Sequence, residues 1–387
     1  MIQVSSRYPN GSIMYCQVHD LLRDLAIHQC RKQNFLTVFR NPEDADHEES
    51  AARRASLQFC SPQFMKQVLP TNTRLLLCFG GSIPNYYELR LLRVIEIVDV
   101  KMFRSTDLRE LDRLIHLRYL GFLNCAKLNM PACSFDRLKN LETLDLRGTQ
   151  MQQLPKGLWT ISSLRHVLYD PYIRGLPSTA ELRNLQTLQW VEINSTWQPK
   201  QFPNLNNLRE LGLTRTDAGW LAVTYLFRTL SSLVSLGIRG SDIPKEIVYP
   251  WGIPNYQNIQ TLHLEGKWAQ SATLAAKSFP RHLVKLTLIG SKLAHDPMLE
   301  LAKLKSLKEL RLGRDAYTGK QMNCPSGFRA LRTLVLGVSE YMVLTVAEGA
   351  MPKLKYLKCA YSIKLVLPPE LNHLTGNEYS QVIPSSD

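Results

Sequence analysis

No stretch of these 387 residues approaches the roughly 18 consecutive apolar residues that a membrane-spanning helix requires. The first 30 residues are broken by Arg7, Asp20, Arg23 and Asp24, so no signal-peptide core is visible, and the expectation is a cytoplasmic protein. Paired cysteines are missing too. Cys16, Cys30, Cys60, Cys78, Cys125, Cys133, Cys324 and Cys359 include no CxxC and no cluster, so reduced, mostly buried thiols are expected, with no metal site. Without a leader, the sequons Asn10-Gly11-Ser12 and Asn194-Ser195-Thr196 are read as chance. No GxxxxGK[ST] phosphate loop occurs, so the Gly-rich cradle and lysine that bind a nucleotide are absent, and no cofactor is expected in this chain. Neither a Ser, His and Asp constellation nor paired carboxylates line up, and no enzymatic activity is expected. A 44% hydrophobic composition excludes disorder and collagen and permits a large core.

What is present is a mixed period that repeats. Residues 138–164 place Leu141, Leu144 and Leu146 in the alternation of a half-buried strand, followed by a looser return through Leu154-Pro155, Leu158, Ile161 and Leu164. One such unit cannot close a core, so units must stack. The central residues are Leu57, Leu77, Ile95, Leu120, Leu144, Val167, Leu188, Leu211, Leu236, Leu262, Leu286, Leu310, Leu334 and Leu357. From Leu120 onward they recur every 21 to 26 residues, within the range of leucine-rich repeats. The fold expected is therefore an α/β solenoid, a leucine-rich-repeat horseshoe of about 14 parallel-strand repeats. Leu154-Pro155, Leu176-Pro177 and Leu367-Pro368 favour extended or tightly turned return segments over regular helix. Thr149 stands where many repeat classes place a ladder asparagine.

The N-terminus reads differently. Ile2 to Ser5 and Ile13 to Val18 flank a turn at Pro9-Asn10-Gly11, predicting a hairpin, and the pattern from Asp20 predicts a helix to about Gln33. The run Cys16 to Ile27, CQVHDLLRDLAI, resembles the MHD motif that closes the winged-helix subdomain of plant coiled-coil-type nucleotide-binding leucine-rich-repeat (NLR, NB-ARC-LRR) disease resistance proteins, with Val18 in place of Met. The resemblance implies that His19 contacts the phosphate of bound ADP and that Asp20 braces the surrounding loop, but only in a full-length receptor, where ADP or ATP would be the cofactor. It divides the chain into a winged-helix remnant over 1–36, an acidic linker over 37–54 containing NPEDADHEES, and the repeat domain over 55–387. Arg53-Arg54-Ala55-Ser56 matches the segment that commonly opens the repeat domain in that family.

The formal net charge is +14, of which residues 281–358 alone carry +8. Arg147, Arg165, Arg209, Arg215 and Arg239 in the first half, and Lys285, Lys308, Arg311, Arg314, Arg332, Lys355 and Lys358 in the second, are expected at outward strand positions on the concave face. The residues one place after each central leucine run Gly121, Asp145, Leu168, Gln189, Gly212, Gly237, His263, Thr287, Arg311, Val335 and Lys358, a surface suited to contact and not to chemistry. The basic stripes suit an acidic protein surface, and the resemblance implies that this surface is a nucleotide-binding module in cis or in trans, with a pathogen effector or host protein as a further partner. The competing reading is a solvated basic face on a stand-alone scaffold or adaptor. Nucleic acid is not expected, since Trp159, Trp190, Trp197, Trp220, Trp251 and Trp268 form no stacking row. Trp190, ending an outward-facing strand, is a candidate anchor.

Overall fold

The computed structural model describes residues 2–7, 13–40, 53–59, 69–81, 86, 88–101, 108, 110–126, 128, 135–151, 153–170, 172–174, 182–193, 205–214, 227, 230–243, 256–268, 274–337, 341–360 and 363–374. The turn at 9–11, both sequons, the acidic run 41–50, Cys60, Cys133, Leu176-Pro177, Arg215, Trp197, Trp220 and Trp251 lie outside the described residues. Strands β1 (Ile2–Arg7) and β2 (Ile13–Val18) form a two-stranded sheet. Helix α1 (Asp20–Lys32) follows, as its pattern predicts, with Asp20 in its first turn and Arg31 and Lys32 in its last, which suits the helix dipole. None of its residues is buried.

The repeats divide into two compact units. The first, mainly residues 18–193, contains β3 (Thr37–Phe39), β4 (Arg54–Gln58), β5 (Leu75–Phe79), β6 (Val94–Val98), β7 (Tyr119–Leu123), β8 (Thr143–Arg147), β9 (His166–Asp170), β10 (Ile173–Arg174) and β11 (Thr187–Glu192). They pair in parallel, in chain order, with β10 set against the end of β11 while β9 pairs its beginning. Residues 37–39, which the sequence places at the start of a linker, are instead the sheet's first strand, and all three are buried. Two central residues also shift. Register aligns Ala55, Leu76 and Ile95, so Leu76 and not Leu77 is the buried residue of β5, and Ala55 precedes the chosen Leu57 by one pleat. The run Leu75-Leu76-Leu77-Cys78-Phe79 is apolar throughout, so hydrophobicity alone could not choose between its two faces.

The second unit, mainly residues 211–387, contains β12 (Glu210–Thr214), β13 (Ser235–Ile243), β14 (Thr261–Trp268), β15 (Lys285–Ile289), the one-turn helix α2 (Met298–Leu301), β16 (Glu309–Leu312), β17 (Gln321–Cys324), β18 (Thr333–Leu336), β19 (Met342–Val346), β20 (Tyr356–Cys359) and β21 (Ile363–Val366). The main sheet runs β12-β13-β14-β15-β16-β18-β20, and β17, β19 and β21 form a separate parallel sheet within the last repeats.

Each rung is held the same way. Leu307, Leu310 and Leu312 show the pattern: the leucine three before the centre, the centre itself and the residue two after are all buried. The residue two before the centre belongs to the turn entering the strand. Its carbonyl accepts two backbone N–H groups from the next rung, as when Lys308 O receives Arg332 N at 2.8 Å and Thr333 N at 3.1 Å. The same pair recurs at Arg53, Arg74, Arg93, Arg118, Glu142, Arg165 and Gln186 in the first unit and at Val234, Gln260, Val284 and Arg332 in the second. Return segments tighten into 3-10 turns after Leu154-Pro155 and Leu367-Pro368, as proline predicts. Thr149 does not act as a ladder residue, because its hydroxyl donates within its own rung to Leu146 O at 2.8 Å. The ladder lies instead before the strands, where Asn140, Asn184 and Asn207 donate to Ile115 O, Ser162 O and Arg183 O of the preceding rung at 2.8, 2.9 and 2.8 Å. Trp159 and Trp268 fill core, while Trp190 is half-buried at a left-handed φ of 52° inside β11.

Candidate functional site

Register sets the residues that follow each centre side by side. In the second unit Gly237, His263, Thr287, Arg311, Val335 and Lys358 form one continuous row across β13 to β20, and in the first Gly121, Asp145 and Leu168 form another. Small members of the row are covered by neighbours, with Gly121, Gly237, Thr287 and Val335 all buried. Asp145, expected on the exposed face, is buried as well, its side chain 1% accessible.

Three members of the predicted basic stripe are neutralised internally. Arg147 grips Asp145 in a bidentate pair, Arg239 Nε lies 2.9 Å from Glu265 Oε2, and Lys285 Nζ lies 2.8 Å from Glu309 Oε1. His263 and Arg239 together hold the Glu265 carboxyl below its ordinary range, the hydrogen bond from His263 contributing most. Arg314 is exposed beside Asp315 at 4.0 Å. Arg165, Arg209, Lys308, Arg332 and Lys355 are not on the outward strand face. Each sits two before a centre, at the turn, where the period of 2 has not yet begun and the side chain splays to an exposed lip.

What remains in the second unit is a compact cationic cluster. Lys308, Arg332 and Lys355 occupy three consecutive lip positions, linked by backbone bonds of 2.8 and 2.9 Å. Beside them Arg311 and Lys358 share the strand face, separated by one strand carrying Val335, or about 10 Å. Arg311 Nε is buried without a hydrogen-bond partner, and burial followed by the charge of Arg311 holds the Lys358 amine below the ordinary lysine range. Among the described residues no carboxylate pairs with any of these five. At the N-terminus, His19 caps α1, its Nδ1 accepting from Leu21 N at 3.3 Å, and Asp20 pairs with Arg23 at 3.0 Å on the exposed surface. Both side chains serve the helix locally. Among the described residues no three His, Cys, Asp or Glu side chains could hold a metal, and Cys30, Cys78, Cys125, Cys324 and Cys359 are free thiols, with Cys125 and Cys324 pushed up to about 11 by burial.

A family model described as a leucine-rich repeat region matches residues 74–374. The chain belongs to the leucine-rich repeat family. Curated proteins similar to it include plant disease resistance proteins. The ToMV resistance protein Tm-2(GCR236) of Solanum lycopersicum is 28% identical over 394 residues, covering 92% of this leucine-rich repeat chain and 44% of its own length. Disease resistance protein RPP13 of Arabidopsis thaliana is 28% identical over 376 residues, covering 94% and 42%. The chain thus spans less than half the length of these relatives. Among solved structures, a Leptospira interrogans LRR protein superposes with a TM-score of 0.53 at 19% identity, over 87% of this chain and 97% of that one, a likeness of fold. No helix among the described residues is long and apolar enough to cross a membrane.

Proposed function

We propose that this leucine-rich repeat chain is the recognition part of a plant innate immune receptor, acting by protein binding and by restraining a nucleotide-binding module. The chain catalyses no reaction and works in the cytoplasm. Lys308, Arg311, Arg332 and Lys358 receive an acidic protein surface, that of the nucleotide-binding module in cis or in trans, or of a pathogen effector or host protein. His19 and Asp20 meet ADP only where the rest of that module is present. The observation that carries this reading is the Arg311 and Lys358 pair: two partly desolvated cations on one face with no counter-ion among the described residues, an arrangement that carboxylates from a partner would complete. Charge reversal at Lys308, Arg311 and Arg332 should reduce co-purification with a nucleotide-binding module supplied in trans by tenfold or more. Unchanged co-purification would reduce the cluster to a solvated basic face.

A further inference from the structure

The outward face of β5 to β7 in the first unit carries mostly apolar side chains. Register pairs Leu75 with Val94, Phe79 with Val98, and Val98 with Leu123, and none of these side chains is buried by the chain. Leu77 lies among them, and Phe79 is 37% exposed. Next to this face the lip carries Arg53, Arg74 and Arg93 on three consecutive rungs, with Arg74 N donating to Arg53 O at 2.7 Å and Arg93 N to Arg74 O at 2.8 Å. Among the described residues no carboxylate pairs with these three arginines, and Arg53, burial, Arg93 and Arg54 together hold the Arg74 guanidinium below its ordinary range. One acid, Glu96, occupies the middle of the apolar face, opposite Leu77 and Gly121.

We infer that this face binds a protein segment whose apolar side chains cover Leu77, Val94 and Val98 and whose carboxylates run along one flank, over Arg53, Arg74 and Arg93. Half-buried apolar side chains set side by side around an exposed Phe79 are completed by a partner that covers them, and the separation of charge selects the occupant. Glu96 repels acids from the centre, while the arginine row attracts them at the edge. A nucleic acid would place phosphates near Glu96 and find aliphatic side chains where its bases need aromatic ones to stack on. A second copy of the chain would bring the same arginine row and a net charge of +14. An amphipathic acidic segment fits both halves of the surface.

The test uses the full chain and three labelled peptides, LEELLEELLEEL, LKKLLKKLLKKL and SEESSEESSEES, in fluorescence anisotropy. The first should bind saturably and at least tenfold more tightly than the others. Arg74→Glu with Arg93→Glu should lower that affinity tenfold or more, as should Leu77→Ser with Val98→Ser, with circular dichroism unchanged. Lys308→Glu with Arg332→Glu should leave it unaltered, which separates this surface from the cluster of the second unit. Absence of saturable binding, equal binding of the serine or lysine peptide, or indifference to both double variants would overturn the inference. So would displacement by single-stranded RNA at equal concentration, or a dimer in sedimentation that Val98→Ser dissolves.

Discussion

Arg147 closes on Asp145 through two parallel hydrogen bonds, Nε to Oδ1 at 2.9 Å and Nη2 to Oδ2 at 2.6 Å, with the carboxylate 1% accessible and the guanidinium half exposed. The Arg147 backbone N–H adds a third bond at 3.2 Å, and Tyr119 reaches Oδ2 at 3.5 Å. Arg147→Ala strips a buried carboxylate of its charged partner and should cost about 2 kcal/mol in urea unfolding. Adding Asp145→Ala should recover part of the loss, since the unpaired charge is then gone. A double variant no more stable than Arg147→Ala would show that the pair holds nothing beyond its own packing.

Glu96 predicts a pH dependence of opposite sign to the usual carboxylate. Burial, then the charge of Asp145, raises its pKa, with Arg147 opposing. A carboxyl that binds its proton more tightly when folded favours the fold below its ordinary range and costs stability as pH rises through the unfolded and then the folded value. Glu96→Gln should therefore be more stable than the parent at pH 7 by roughly 0.5 kcal/mol, allowing for screening at a part-exposed site. The difference should vanish at low pH.

Gly266 and Gly349 separate lack of space from backbone strain. Gly266 has φ of 143°, and a Cβ there would lie 2.2 Å from Gly240 O, a backbone atom of the neighbouring strand. Gly349 has φ of 71° with nothing within 4 Å. Gly266→Ala should cost on the order of 3 kcal/mol and Gly349→Ala about 1 kcal/mol, measured by thermal unfolding.

Asn184→Ala and Asn207→Ala each remove one bond between rungs and should cost about 1 kcal/mol apiece in denaturant titration. Asn206→Ala, on the adjacent exposed position, should leave stability unchanged.

Calorimetry with ADP should detect no binding to this chain, because His19 caps α1, Asp20 is paired with Arg23 and no phosphate loop accompanies them. Saturable binding would show that the pair works without one.

The repeat itself was legible because buried leucines at fixed spacing can only stack, and register confirms the centres from Ile95 to Leu188 and from Leu236 to Leu357. The site was less legible, for two reasons. Arg165, Lys308 and Arg332 were placed by strand alternation, which fails at the turn where they lie. The arginines at 53, 74 and 93 form a row that strand alternation does not reveal, because each lies two before its centre, at the turn. Reading the residue two before each centre would have found them. Ion pairing, which decides whether Arg239 or Arg311 is available to a partner, depends on neighbours 24 to 26 residues away and on rotamers, and no local pattern encodes it.

The carbonyls that join successive rungs at the lip ask nothing of the side chains they belong to. Arginine, glutamate, glutamine, valine and lysine all occupy the position and make the same two bonds. Within each unit the lip is therefore a row of independently replaceable letters on a scaffold indifferent to them. A gene of this kind can exchange one letter for another, or change the sign of a single rung, and alter what the edge attracts without having to refold the protein that displays it.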